Sequence, residues 1–165
     1  MPDLAEALLT NSEIELIRSS WKPFSENLQE TGATFFLAFF KRQVDYQDAF
    51  PFRGVPLNEL RQNESFRKHA KAVMKFMDTA IASIEDSPSV LRMLNQNGKS
   101  HGLKNLNLSW SHYENLEITL LDVIIQFYEE DKQPLSSEEK DIWAKFLRFC
   151  TTTIHEAVQI HQNAT

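Results

Sequence analysis

Apolar residues recur at three- and four-residue steps along this chain, the period of one helix face, and the clearest run is Phe66, Ala70, Val73, Met77, Ile81 and Ile84. Arg67, Lys68, Lys71 and Lys75 fall mostly outside that stripe. His69 falls inside it, so its ring points where the hydrophobic side chains point. A polar ring in an apolar wall needs a partner, which a backbone carbonyl, a buried water or a metal-bound ligand can supply. Taken alone, the stretch favours a hydrogen-bonded core histidine, because buried polar groups are generally satisfied in that way.

Upstream, Thr10-Asn11-Ser12-Glu13 has the capping-box pattern that satisfies the first free amides of a helix, and Ile14, Ile17, Trp21, Phe24 and Leu28 follow as its stripe. Pro23 predicts a bend or break soon after Trp21. From Thr31 to Phe40 the chain is apolar on more than one face, which predicts a second helix buried on two sides. Gly32 weakens helix propensity there, and close crossing by the helix bearing His69 is the leading compensation. Tyr46 to Pro56, with two prolines and a glycine, is a corner. Phe50 and Phe52 within it either cap the core or contact a large flat ligand. Leu57 to Leu60 forms a short turn, and Asn63 or Ser65 caps the His69 helix, which runs to about Ile84.

Ser87 as N-cap, with Pro88 at the first position, restarts a helix expected to be short, its apolar side formed by Val90, Leu91 and Leu94. His101 shares that side if the helix survives Asn97-Gly98, a pair that disfavours persistence. Gly102 to Ser109 reads as a loop. Ser109 then caps a long helix with Tyr113, Leu116, Leu120, Val123, Ile124 and Phe127 in its stripe. Ser136-Ser137-Glu138-Glu139 opens a last helix that buries Trp143, Phe146, Leu147, Cys150, Ile154, Ala157 and Val158. The pattern is all-α throughout.

Composition supports that class. Hydrophobic residues are 42% of 165, with 12 Phe and 3 Trp but only 4 Gly and 6 Pro, which favours one helix-rich globular domain. The expected layout is an extension over 1–8, a domain over 9–161 and a tail over 162–165. A formal net charge of −6 argues against a nucleic-acid or anionic-membrane binder, since phosphate-tracking surfaces need clustered Lys and Arg. The most apolar region, Ile118 to Tyr128, is broken by Asp122 and Gln126 and is far short of a membrane span. The single Cys150 excludes an intrachain disulfide and cannot make a zinc site by itself. The first residues lack the basic-then-apolar order of a secretory signal and a glycine at position two, so a cytoplasmic location is expected.

Several catalytic chemistries are unsupported: there is no Gly-rich phosphate loop, no Gly-x-Ser-x-Gly elbow and no Cys-rich zinc pattern. The carboxylates at 129–131 and 138–139 sit at helix ends and turns, where solvation or capping accounts for them. His112, in a first helical turn, is expected to be exposed, and His155 and His161 to be structural or solvent-facing. His69 and His101, far apart across a helix-turn-helix, are a weak metal signal on their own. Their order with other residues is more telling: Trp21 in a first helix, Gly32 in a second, Phe50 in the corner, His69 with Val73 on a long helix, then His101. In that order, over roughly Leu9 to Gln159, the chain resembles a globin. The run Phe50-Pro51-Phe52-Arg53-Gly54-Val55-Pro56-Leu57, followed by Phe66-Arg67-Lys68-His69-Ala70, is closest in pattern to arthropod, particularly insect, globins.

The resemblance implies a three-over-three helical sandwich around a pocket for haem b (iron protoporphyrin IX). It implies that His101 is the proximal histidine, whose neutral imidazole bonds the iron. His69 matches the distal histidine, a direct iron ligand only in a six-coordinate protein. Phe50 matches the corner phenylalanine that lies on the porphyrin, with Phe52 beside it, and Phe36, Val73, Leu108, Tyr113 and Leu116 match positions of the pocket wall. Arg53 and Lys104 are the candidate partners of the haem propionates. Asn97 and Gly98 depart from the leucine and small apolar residue usual there, Ala72 stands where a basic residue is common, and Val44 replaces a proline. The implied function is non-enzymatic: reversible binding of O2, and of CO and NO, through ferrous iron for storage or transport, by a monomer or homodimer. The alternative is a bis-histidyl globin with a redox, gas-sensing or nitric-oxide-scavenging role. Turnover would then need an external reductase, since these residues hold no flavin or nicotinamide domain.

Overall fold

The computed structural model describes residues 9–104 and 106–162, and the expected extension over 1–8 and the end of the tail lie outside them. Among the described residues there is no strand. Six α-helices follow one another: α1 (Asn11–Ser25), α2 (Leu28–Arg42), α3 (Glu64–Ala82), α4 (Ser87–Leu103), α5 (Trp110–Glu130) and α6 (Ser137–His161). Two 3-10 segments, Val44–Ala49 and Leu57–Gln62, build the corner between α2 and α3. No helix among the described residues is long and apolar enough to cross a membrane.

Local chemistry sets the helix starts. The Thr10 hydroxyl accepts the Glu13 amide at 3.2 Å while the Glu13 carboxylate accepts the Thr10 amide at 2.8 Å, and Ser136 and Glu139 repeat the exchange at 3.1 and 2.9 Å. Asn63 caps α3 by accepting the Phe66 amide at 2.9 Å. α1 continues through Pro23 and ends two residues later, at Ser25. α2 begins at Leu28, ahead of the expected Thr31, because Asn27 accepts the Glu30 amide at 3.1 Å. At α4 the cap is Asp86 and not Ser87: its carboxylate accepts the Ser89 amide at 3.2 Å and the Ser89 hydroxyl at 2.7 Å. Pro88 then lies in the first turn, where a missing amide leaves no intrahelical bond unmade.

The core gathers the apolar stripes of all six helices, with Ile17, Phe35, Leu94, Ile124 and Trp143 completely buried. Its polar groups link α1 to the other elements. Trp143 donates its indole N–H to Ser20 Oγ at 2.8 Å, Tyr128 donates to the Ser20 carbonyl at 2.6 Å, and Trp21 donates to Asp78 at 3.0 Å. These three donors are thereby satisfied within the fold.

Two helix crossings bring backbone against backbone. At the first, a Cβ on Gly32 of α2 would lie 2.7 Å from the Ala70 carbonyl carbon of α3, which is the close approach that its sequence position suggested. At the second, α4 runs unbroken through Asn97-Gly98 for 17 residues instead of stopping early. Gly98 is buried where α4 meets α6, so tertiary packing outweighs the helix propensity that glycine lacks. Gly102 and Leu103, expected in a loop, belong to the same helix.

Gly32→Ala is expected to destabilise the protein by about 1–3 kcal/mol, because the overlap with α3 exceeds the gain in helix propensity. Urea unfolding should show a lower midpoint with an unchanged slope. An equal or higher midpoint would refute the close crossing.

Candidate functional site

A cavity of about 430 Å3 lies among α2, the corner, α3, α4, α5 and α6, within the range that holds organic ligands. Its walls are mostly apolar, and the stripes of α3 and α4 carry His69 and His101 to it for the same reason that they carry Val73 and Leu94.

His69 is half-buried. Its ring stands edge-on to Phe50, with centroids 4.8 Å apart, and to Phe36, at 5.1 Å. Among the described residues no hydrogen bond holds it, so it is not the satisfied core histidine that its stretch alone favours. Burial pushes its pKa down to about 4, with the charges of His101 and Lys104 acting in the same direction. At neutral pH the ring therefore offers one N–H and one lone pair.

His101 is held differently. Its Nδ1 lies 2.8 Å from the carbonyl of Asn97, one turn back on α4. A carbonyl only accepts, so Nδ1 carries a proton, and in the neutral tautomer Nε2 then holds the lone pair in the orientation a metal-binding imidazole needs. Asn97 thus acts through its backbone, which residue identity in the sequence does not disclose.

Nine of the eleven residues expected at the site line the cavity: Phe36, Phe50, His69, Val73, His101, Lys104, Leu108, Tyr113 and Leu116. Two do not. Phe52 is buried behind Phe50, the rings stacked at 5.1 Å, and so supports the wall without forming it. Arg53 is exposed and outside the lining.

His112, expected to be exposed, is half-buried and lines the cavity, its ring centroid 4.4 Å from that of Tyr46. Its Nδ1 accepts the Ser109 amide at 3.1 Å, so the side chain also closes the start of α5, and burial lowers its pKa. His155 packs between Trp110 and Tyr113, at 5.5 and 5.7 Å, in the structural role expected of it. Glu117 is a wall residue that the sequence reading missed: it is buried, accepts the Thr151 hydroxyl at 2.6 Å and pairs with Arg148. The signal was available, since Glu117 falls between Tyr113 and Leu120 in the α5 stripe, as His69 does in that of α3. Cys150 also reaches the wall, and burial raises its pKa to about 12, which keeps it a neutral, inert thiol.

Among the described residues no group of three or more His, Cys, Asp or Glu could hold a bare metal ion. Two imidazoles on apolar walls instead suit iron already carried in a macrocycle.

An all-α fold closed around such a cavity, with a histidine from each of two helices, suits a helical protein that holds haem. The family model described as Globin matches residues 33–154, and the chain belongs to that family. It is 25% identical to cytoglobin-1 of Oryzias latipes over 88% of this chain and 81% of that one, and 26% identical to hemoglobin-2 of Phacoides pectinatus over 88% and 93%. Among solved structures, a Drosophila melanogaster globin superposes with a TM-score of 0.81 at 26% identity, over 90% of this chain and 94% of that one. A hexacoordinated haem protein from an anhydrobiotic tardigrade superposes with a TM-score of 0.80 at 25% identity, over 92% and 96%. The insect-like pattern of the sequence agrees with the first of these structures.

His69 yields a pH prediction for the haem-free protein. Its ordinary pKa of 6.5 applies to the unfolded chain and about 4 to the folded one, so between those values the unfolded state binds more protons and stability falls as pH drops. Thermal melts from pH 7 to 4.5 should show that decline, and His69→Gln should make it shallower. A variant profile parallel to that of the unmodified protein would disprove the linkage.

Proposed function

We propose that this globin holds haem b in the cavity between α3 and α4 and binds O2 reversibly, with CO and NO as further ligands, for storage or transport. The observation that carries the reading is the 2.8 Å contact from His101 Nδ1 to the Asn97 carbonyl, which leaves Nε2 free to ligate. When bound, the haem supplies the ferrous iron at which diatomic gases are taken up. His101 is the proximal residue. His69, neutral at physiological pH, presents an N–H able to stabilise a polar gas by a hydrogen bond. Phe50, Val73, Leu108 and Leu116 keep the site apolar and restrict water. Phe36 has no hydroxyl, so α2 offers no second donor from that position. Lys104, exposed at the rim, is the propionate partner, an interaction worth at most about 1 kcal/mol in that setting. Arg53 has no part in this reading. The functional domain is 9–161, and the protein acts in the cytoplasm.

A second reading has its own support. His69 has no protein partner among the described residues and a pKa low enough to keep its lone pair free, which suits a second iron ligand. The tardigrade protein is hexacoordinated, and a Drosophila melanogaster hexa-coordinate hemoglobin superposes with a TM-score of 0.76 at 26% identity. Two-histidine coordination would fit a redox, sensing or nitric-oxide-scavenging role, with electrons from an external reductase.

The visible spectrum of the deoxygenated ferrous protein separates the readings: sharp low-spin bands mean six-coordinate iron and a broad high-spin band means five. His101→Ala should lose normal haem ligation, and unchanged spectra in that variant would overturn the assignment. His69→Leu should raise the O2 dissociation rate about tenfold if His69 hydrogen-bonds the gas, the effect of losing one such bond. Haem at about a thousand times its dissociation constant should stabilise the fold by about 4 kcal/mol, measurable as a rise in Tm on reconstitution.

A further inference from the structure

Gly98 and Gly102 lie one turn apart on α4, in the turn that carries His101, and both face α6. A Cβ on Gly98 would overlap the Ile154 carbonyl and come within 2.5 Å of the Ala157 Cβ. On Gly102 it would come within 2.7 Å of the Val158 carbonyl oxygen and 3.0 Å of the His161 Cβ. Ile154 and Val158 are also one turn apart, so the two glycines ride along a single seam of α6. Among the described elements, α4 and α6 share the most extensive contact of any pair. A second glycine inside a helix is unfavourable in itself, and here the helix is unbroken across both.

The seam and the histidine are mechanically one unit. Asn97, whose carbonyl fixes the His101 ring, immediately precedes Gly98. At about 100° per residue, His101 projects roughly 60° around the helix from Gly98 and 100° from Gly102. A displacement of α4 away from α6 therefore carries the ring sideways across the cavity, neither deeper into it nor out of it.

We infer that Gly98 and Gly102 are positioning residues: their backbone seam against α6 sets the lateral place of the His101 ring, and through it how well His101 and His69 align across one iron. The inference rests on His101 being the iron ligand. Packed interiors shift only by local displacement, so even one added methyl group must move α4, α6 or both.

The test uses the full chain loaded with haem. Gly98→Ala should displace α4 and misalign the histidines. If the unmodified protein is six-coordinate when deoxygenated, its low-spin to high-spin ratio should fall about threefold or more. If it is five-coordinate, the iron–histidine stretching band in the resonance Raman spectrum should shift. Adding Ala157→Gly to that variant should restore part of the change, because Ala157 supplies one side of the overlap, whereas Lys99→Ala on the exposed face should leave both readouts as they were. Should Gly98→Ala not fold, Gly102→Ala carries the same test against the last turn of α6. A folded, haem-loaded glycine variant with unaltered bands and only a lower Tm overturns the inference. An unmodified protein that takes up no haem overturns the proposed function itself, a distinguishable result.

Discussion

A helical chain that keeps about 430 Å3 of apolar space in its interior must hold its walls apart against its own tendency to collapse. Apolar walls that face such a space without a partner go without contacts that a group of the right shape would supply. The group that fills the cavity is therefore part of the fold's energetics as well as of its chemistry. It also follows that the frame must be stiff wherever it does not face the cavity.

The stiffness comes from close approach and from satisfied buried polar groups more than from charge. α2 rests on α3 at Gly32, and α4 rests on α6 at Gly98 and Gly102, each where a glycine lets backbone approach backbone. Ser20 receives hydrogen bonds from both Trp143 and Tyr128, so one turn of α1 is tied to α5 and α6. The ion pairs Arg42–Asp122 and Arg61–Glu30 are solvent-exposed at both ends and add little. Glu117 is the exception. Its buried carboxylate is held by Thr151 and by Arg148, whose guanidinium lies over the Trp110 ring at 5.1 Å. Removing Arg148 would leave that buried carboxylate without its charged partner.

What could be read in advance was local or periodic. Thr10 with Glu13 and Ser136 with Glu139 state their helix starts in four residues, and the stripes of α3, α5 and α6 state which faces are buried. The spaced set of Phe50, His69 and His101 pointed to the family because each residue is odd in its place: an aromatic in a loop and two imidazoles in apolar stripes. What escaped depended on distant partners. The persistence of α4 past Gly98 depends on the backbone of α6 arriving there, and no local signal in the sequence encodes that arrival. His112 looked exposed from its position in a first helical turn, whereas the ring of Tyr46, brought over by the corner, covers it. Phe52 was left between capping the core and contacting a flat ligand, a choice that periodicity does not make and that the corner decides by stacking it behind Phe50.

The two histidines reach the cavity by the same helical logic and are held by opposite means. His101 is fixed through Nδ1 by its own helix, so its Nε2 is in place before any ligand binds, and the ordering entropy of that ring is already spent in folding. His69 is fixed only by rings pressed against its edges and has no hydrogen bond to give up among the described residues. An anchored imidazole suits a permanent bond, while an unanchored one can approach or withdraw with little change in protein hydrogen bonding. With haem held as proposed, any competition between His69 and a gas for the iron would be decided by differential affinity alone. Small displacements of either helix, α3 over Gly32 or α4 over Gly98, are the physical means by which the fold can tilt it.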